Sequence, residues 1–316
     1  MLTLKALPFT DMYLGEDSAL VSGIPGMFDP VPVEPEHKEE VAQLRQKCLH
    51  ELETHRREDF PLRHRDVGYR VSVIRSLTEV VFVLRRFADA VPKLETMGIH
   101  SRIIQNLLTP KLSGLIVIAG AYGQGKTTTA SSIIVSRLAQ YGGVAVTIED
   151  PPEMPLQGKH GEGVCYQTWV ARGGFAAACR QATRWAPSII FLGEIRDGET
   201  AIEALRASVN GRLVVATTHA ENALMAIDRI HALAVSAGGT SSEDVTHLLA
   251  AGLTCVMHQK IETHGERKQL FISSLWIQGE DAAGIRATIQ SKRFNLLGSA
   301  LDLQRNQMLT QRQVAK

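Results

Sequence analysis

The sequence predicts an α/β protein, with a mostly parallel sheet whose strands alternate with helices, preceded by a smaller α+β region. Three observations carry this. From Leu115 onward, short apolar runs alternate with helical stretches, the pattern of repeated strand–helix–strand units. A glycine-rich loop stands at one strand-to-helix junction in that region. Ahead of it, two β-branched runs lie close together across a short polar bridge, as in a small antiparallel sheet.

Taken in chain order, residues 1–36 are rich in proline and glycine around Ile24 to Pro35, which predicts a loop-rich or extended segment. Glu36 to Arg57 is strongly charged, with Val41, Leu44, Cys48 and Leu52 at helical spacing, so it predicts an amphipathic helix. Tyr69 to Ile74 and Val80 to Leu84 read as strands, joined through Arg75 to Glu79. Pro92 to Leu112 leads into the second region. The expected organisation is residues 1–95 as an N-terminal α+β domain, 96–112 as a linker and 113–316 as the larger domain. Strands are expected at Leu115–Ala119, Val144–Ile148, Ile189–Leu192 and Leu213–Thr217. A helix is expected from Lys126 to Gln140, closed by Gly142 and Gly143. The tail from Ser291 reads as helical before turning polar.

Bulk properties narrow the function. Hydrophobic residues make up 44% and charged residues 21%, ordinary for a folded domain. A formal net charge of +1 gives no whole-chain argument for nucleic acid or an anionic membrane. No run approaches the roughly 20 apolar residues that cross a bilayer, and Met1 to Thr10 lacks the pattern of a signal peptide. The expected location is therefore the cytoplasm, with membrane association only through partners. None of Cys48, Cys165, Cys179 and Cys255 forms a C-x-x-C pair, which predicts buried reduced thiols rather than a zinc or disulfide framework. His50, His55 and His64, near Cys48, read as part of a solvated, charge-rich segment rather than a metal site.

The chemistry starts at Gly120-Ala-Tyr-Gly-Gln-Gly-Lys-Thr127, which satisfies the phosphate-loop pattern G-x-x-x-x-G-K-[ST] between a strand and a helix. Glycines let backbone N–H groups turn inward around a phosphate, and the helix N-terminus adds partial positive charge. Gly120, Gly123, Gln124, Gly125, Lys126, Thr127 and Thr128 are the expected nucleotide-binding residues. Lys126 suits the β- and γ-phosphates of ATP, and the Thr127 hydroxyl suits Mg²⁺. Three further segments end strands with polar groups: Thr147-Ile-Glu149-Asp150-Pro-Pro-Glu153, Gly193-Glu194-Ile-Arg196-Asp197, and Ala216-Thr-Thr-His219. A carboxylate beyond a hydrophobic strand can hold Mg²⁺ or orient an attacking water. A histidine there can report the nucleotide's state. Each segment alone is weak, since an acid after a strand is often a helix cap; their order behind a complete phosphate loop is specific.

With these motifs in place, the sequence resembles the secretion and pilus motor ATPases. That superfamily includes PilT-like retraction motors, GspE-type ATPases and the traffic ATPases of type IV secretion and conjugation. The resemblance spans about Gly68 to Leu301. It implies a RecA-like P-loop ATPase domain behind a PAS-like N-terminal domain. By motif, it implies that Glu149 polarises the attacking water, supported by Asp150 and Glu153. Glu194 would be the Walker B acid near Mg²⁺, and His219 the His-box residue. It further implies that Arg70, Arg75 and Arg85 reach nucleotide from the N-terminal domain, partly across a subunit boundary, where a forked, always-charged guanidinium stabilises phosphate. Arg86, alternating with Arg85, is expected on the other strand face and solvated. The implied assembly is a homo-oligomer, a hexameric ring at the cytoplasmic face of the inner membrane. It would pass a change of inter-domain angle to secretion or pilus platform proteins, with no direct nucleic-acid partner.

The sequence departs from the family pattern in places. Ala121, Tyr122 and Gln124 replace the usual residues of G-P-T-G-S-G-K-[ST], and Ala186-Pro187-Ser188 stands where D-P-D is common. The A-I-R-N-L-I-R-E type motif after Leu296 and a four-cysteine zinc module are absent. These differences point toward a conjugation or type IV secretion motor, with a pilus motor next. Two other classes stay open: a RecA-like nucleic-acid-dependent ATPase, and an ATP-gated scaffold with little turnover.

Overall fold

Alternation of apolar and polar side chains organises the N-terminal part of the chain. The structure, a computed structural model, describes residues 4–24, 26–28, 30–170, 173–264 and 267–314. Met1 to Thr3, Pro25, Asp29 and residues 315–316, which fall in segments read above, lie outside the described residues. Two compact units are formed. One comprises Met1–Ala90 with Pro151–Pro155, the other Val91–Asp150 with Leu156–Lys316.

The first unit contains strands β1 (Asp11–Leu14), β2 (Ala19–Ser22), β3 (Val31–Pro32), β4 (Asp59–His64), β5 (Val67–Arg75) and β6 (Val80–Arg86), with helix α1 (Lys38–His55) between β3 and β4. The sheet order is β3-β2-β1-β6-β5-β4, and each neighbouring pair is antiparallel. Phe60, Leu62, Tyr69, Val71, Phe82 and Leu84 point to the buried face, where α1 contributes Leu44 and Cys48. The two expected strands lie within β5 and β6, and the expected helix is α1. The segment 1–36, read as loop-rich or extended, supplies three short strands. Their four residues or fewer are bounded by glycine and proline, which masks the strand pattern.

Two expectations about charged residues are corrected. His64 is buried rather than solvated, because it occupies an inward position of β4. It lies 3.5 Å from Glu40, whose carboxylate also accepts from the Leu4 N–H at 3.0 Å. Arg86 is also enclosed, with only 11% of its side chain exposed. It shares the face of Phe82 and Leu84 and donates to the Leu7 carbonyl at 2.9 Å and to Asp89 at 2.9 Å. The strand period placed it opposite Arg85, but that opposite face is the core face.

The second unit is built on strands β7 (Gly114–Ala119), β8 (Gly143–Glu149), β9 (Gly158–His160), β10 (Gly163–Trp169), β11 (Ile189–Leu192), β12 (Leu213–Thr218), β13 (Leu253–His264) and β14 (Arg267–Trp276). Its sheet order is β14-β13-β7-β12-β11-β8-β10-β9. The strands from β13 through β10 pair in parallel, and antiparallel partners β14 and β9 close the two edges. Helices α2 (Ser101–Leu107), α3 (Lys126–Tyr141), α4 (Phe175–Arg184), α5 (Gly198–Val209), α6 (Ala223–Ser236), α7 (Ser242–Gly252), α8 (Ala282–Gln290) and α9 (Leu297–Val314) complete it. Every side chain of β7 is buried, as expected for a central parallel strand. Leu115, Val117 and Ala119 join a core with α4 to α8, while Ile116 and Ile118 alternate to the other face. The stretch 96–112, expected as a linker, groups with this unit, because α2 buries Ile103 and Leu107 on one helical face. All four cysteines are buried and free, and burial pushes the thiols of Cys48, Cys165 and Cys179 up to about 12.

Candidate functional site

Parallel pairing of β13, β7, β12, β11, β8 and β10 puts their carboxyl ends along one edge of the sheet, and the predicted chemistry collects there. β7 ends at Ala119, the loop follows, and α3 starts at Lys126. Gly125 caps α3 with φ of 74°, a left-handed conformation that a side chain would strain. Thr127 and Thr128 sit in the first turn of α3, half-buried.

Lys126 folds over its own loop. Its Nζ donates to the carbonyls of Gly120 at 3.0 Å and Ala121 at 2.7 Å, and lies 3.4 Å from Nδ1 of His219. His219 follows β12, and its Nε2 is 3.3 Å from Oε1 of Glu194. Glu194 follows β11, and its Oε2 accepts from Nε of Arg196 at 2.8 Å. Lys126, His219, Glu194 and Arg196 thus form one chain of contacts. An ammonium can only donate, so Nδ1 of His219 must be the acceptor and Nε2 carries the proton toward Glu194. Burial, then the Lys126 charge, holds the His219 pKa below its usual value against the opposing pull of Glu194.

Glu149, the last residue of β8, is 2% exposed. Its carboxylate accepts from Nε2 of Gln167 at 2.9 Å. Next to it, Asp150 accepts from Nε1 of Trp169 at 3.2 Å. β10 pairs in parallel with β8, setting Trp169 beside Glu149 and Gln167 beside Thr147. Glu153, read with this group, is exposed. Asp197, the last residue of the Gly-Glu-Ile-Arg-Asp motif, caps α5 by accepting from the Thr200 N–H at 2.8 Å.

The structure therefore brings together Gly120, Gly123, Gln124, Gly125, Lys126, Thr127, Glu194 and His219, with Glu149 on the neighbouring strand end. A cleft of about 630 Å³ opens beside the loop, lined among others by Ala121, Gln124, His219, Met225, Arg229 and Gln259. Sequence reasoning missed Gln167, Trp169 and Gln259. The β-branched and aromatic content of Val164 to Trp169 was the signal that could have exposed β10.

The three candidate arginines of the first unit are not grouped alike. Arg70 and Arg85 are direct cross-strand neighbours on β5 and β6, sharing the solvent-facing side. Arg85 pairs with Asp11 at 2.7 Å and Arg70 lies 3.9 Å from Asp59. Arg75, an odd number of residues from Arg70, alternates to the other side at the end of β5 and pairs with Glu58 at 2.9 Å.

Comparison with known proteins matches residues 55–287 to the family described as Type II/IV secretion system protein. The chain is 31% identical over 234 residues to the type IV pilus ATPase PilU of Pseudomonas aeruginosa, covering 68% of this chain. It spans 59% of PilU's length. The crystal structure of the pilus retraction motor PilT with bound ADP aligns at a TM-score of 0.77 and 27% identity, over 96% of this chain and 90% of that one. The ATPase DotB of Legionella pneumophila shares the fold, with a TM-score of 0.73 and 23% identity over 94% and 85% of the two chains.

Proposed function

This chain belongs to the Type II/IV secretion system protein family, and from that premise we propose that it is an ATP-hydrolysing motor. The motor acts as a homo-oligomeric ring, a hexamer, that powers a type IV secretion, conjugation or type IV pilus machine. It works at the cytoplasmic face of the inner membrane and reaches the membrane through secretion or pilus platform proteins. Among the described residues, no helix is long and apolar enough to cross a membrane. The antiparallel order of the first unit, with α1 inserted between its strands, supports the PAS-like reading of that unit.

The observation that carries the proposal is the contact chain from Lys126 through His219 to Glu194, with distances of 3.4 and 3.3 Å. It places the phosphate-loop lysine close to the acid at the end of β11, and phosphoryl transfer in P-loop enzymes uses both such groups around the triphosphate. In the proposed roles, Lys126 and the loop N–H groups hold the phosphates, and Glu149 activates water. His219 links the lysine to the acid. Arg70, Arg75 and Arg85 are the guanidiniums proposed to neutralise phosphate charge, within or across subunits. Thr127 and Glu194 present oxygen donors of the kind magnesium accepts when it shares its shell with phosphates. When bound, the ion would neutralise charge on the β- and γ-phosphate oxygens.

The test is ATPase rate for wild type, Lys126→Ala and Glu149→Gln, with mass in solution measured with and without ATP. Lys126→Ala is expected to lose nucleotide binding. Glu149→Gln should bind normally and turn over about 10²–10⁴-fold more slowly. A chain that stays monomeric under all conditions would remove the ring from the proposal. Stimulation by single-stranded DNA alone would favour a nucleic-acid motor.

A further inference from the structure

We infer that Gln259, on β13, is a positioning residue that holds the phosphate loop in its binding shape through a two-way latch with Gln124. The inference rests on the nucleotide site proposed above and names a device that the motif pattern does not contain. Gln259 is 1% exposed, and its side-chain Nε2 donates to the backbone carbonyl of Gln124. In return, the side-chain Oε1 of Gln124 accepts the backbone N–H of Ile261 at 2.5 Å. Each glutamine thus bonds the backbone of the opposite segment.

Two loop glycines are shaped to the same strand. A Cβ on Gly120 would lie 2.5 Å from the Gln259 carbonyl oxygen. A Cβ on Gly125 would lie 3.2 Å from Cδ1 of Ile261 and 3.5 Å from Nε2 of Gln259. The register explains the fit: β13 runs parallel to β7 with His258 beside Ala119, so residues 259 to 261 extend along the loop where β7 ends.

The consequence for phosphate is geometric. The peptide between Gln124 and Gly125 is planar and trans, so its C=O and N–H point in opposite directions. Fixing the Gln124 carbonyl toward Gln259 therefore turns the Gly125 N–H away from β13. A loop already held in this way loses less conformational freedom when phosphate binds. Gln259 Oε1 has no hydrogen-bond partner among the described residues. The opposite amide orientation would set that oxygen against the Gln124 carbonyl, so the nitrogen must face the loop.

The experiment compares the full chain with Gln259→Glu, Gln259→Leu and Gln124→Ser, titrated with a fluorescent N-methylanthraniloyl derivative of ATP. Each single variant is expected to bind about two- to tenfold more weakly, the worth of one hydrogen bond. The Gln259→Glu, Gln124→Ser double variant should lose less than the product of the two single effects, since both cut one latch. Gln259→Glu keeps the shape, yet its carboxylate cannot donate. Lowering the pH from about 8 to about 6 protonates this buried acid and should narrow its deficit, a recovery that packing alone does not give. In nucleotide-free protein, backbone amide exchange across residues 120–126 should quicken in every variant. Gln124→Ser lies in the loop itself and tests the latch even if the β13 variants fold poorly. Wild-type binding together with wild-type exchange in Gln259→Glu and Gln124→Ser would overturn the inference. If Lys126→Ala binds as wild type, the nucleotide site is misplaced, and the exchange measurement still decides whether the latch exists.

Discussion

The side-chain amide of Gln167 donates to the carboxylate of Glu149 at 2.9 Å, across the parallel pair of β10 and β8. Glu149 is nearly inaccessible to solvent, so this bond fixes which way its oxygens face. Gln167 therefore positions the group proposed to activate water. Gln167→Leu keeps the volume and removes the donor. It is expected to lower kcat about 10- to 100-fold, the worth of a hydrogen bond to a charged group, with nucleotide affinity unchanged. Steady-state ATPase kinetics beside equilibrium nucleotide binding checks this; an equal loss in both would place Gln167 in general folding instead.

The chain Lys126–His219–Glu194 makes the site sensitive to acid. The His219 pKa is lowered in the folded protein, first by burial and then by Lys126. The unfolded chain, with its histidine near 6.5, takes up the proton first as pH falls. Stability is therefore fully present above that value and lost as the solution is acidified through it. His64, His231 and His258 are also lowered by burial, so the loss is shared among them. Denaturant unfolding at a series of pH values should show midpoints falling below about pH 6.5, with a shallower fall in His219→Gln. An identical pH slope in that variant would remove His219 from the account.

The strand-end residues of the site were legible because each sits where a hydrophobic run stops, a boundary that sequence marks directly. Glu149, Glu194 and His219 are of this kind. Gln167, Trp169 and Gln259 act sideways, through the pairing of β10 with β8 and of β13 with β7. Register between distant segments leaves no local mark, and Gln259 lies 135 residues from Gln124. Arg86 shows a different limit. Period two placed it opposite Arg85 correctly, but nothing local told that its face was the one closed over by Leu7 and Phe9. The short strands β1 and β2 were hidden for want of length.

That enclosure makes Arg86 a structural arginine, unlike its neighbours. Its guanidinium donates to the Leu7 carbonyl and Asp89 and stands 5.9 Å over the Phe9 ring. Arg86→Ala is expected to cost about 1–3 kcal/mol, since it strips a charged donor from an enclosed acceptor. Arg70→Ala, at a surface pair, should cost about 0–1 kcal/mol. Arg85→Ala should cost more, about 1–3 kcal/mol, because it strips a two-pronged donor from the buried Asp11 carboxylate, and removing one of two facing like charges offsets part of either loss. Chemical denaturation orders the three. ATPase rates separate the roles if Arg70 and Arg85 serve the nucleotide: turnover of the folded protein falls in those two and holds in Arg86→Ala.

Gly120 and Gly123 share one loop but should not tolerate alanine equally. Gly123 has φ of 73°, and a Cβ added there would meet nothing within 4 Å, so Gly123→Ala faces only backbone strain. For a single residue that strain is about 1–2 kcal/mol. Gly120→Ala would bring its Cβ to 2.5 Å from the Gln259 carbonyl oxygen, a backbone atom of a buried strand that cannot swing aside. Either the loop or β13 must move, and the loop is the less constrained of the two. Gly123→Ala is therefore expected to keep measurable nucleotide binding, weakened in proportion to its strain. Gly120→Ala is expected to fold, since the sheet can hold its place, yet to lose binding by a far larger factor. Thermal melts and nucleotide titrations of both variants separate these outcomes. Equal binding losses would mean that the loop's own flexibility, rather than its fit against β13, decides how it receives phosphate.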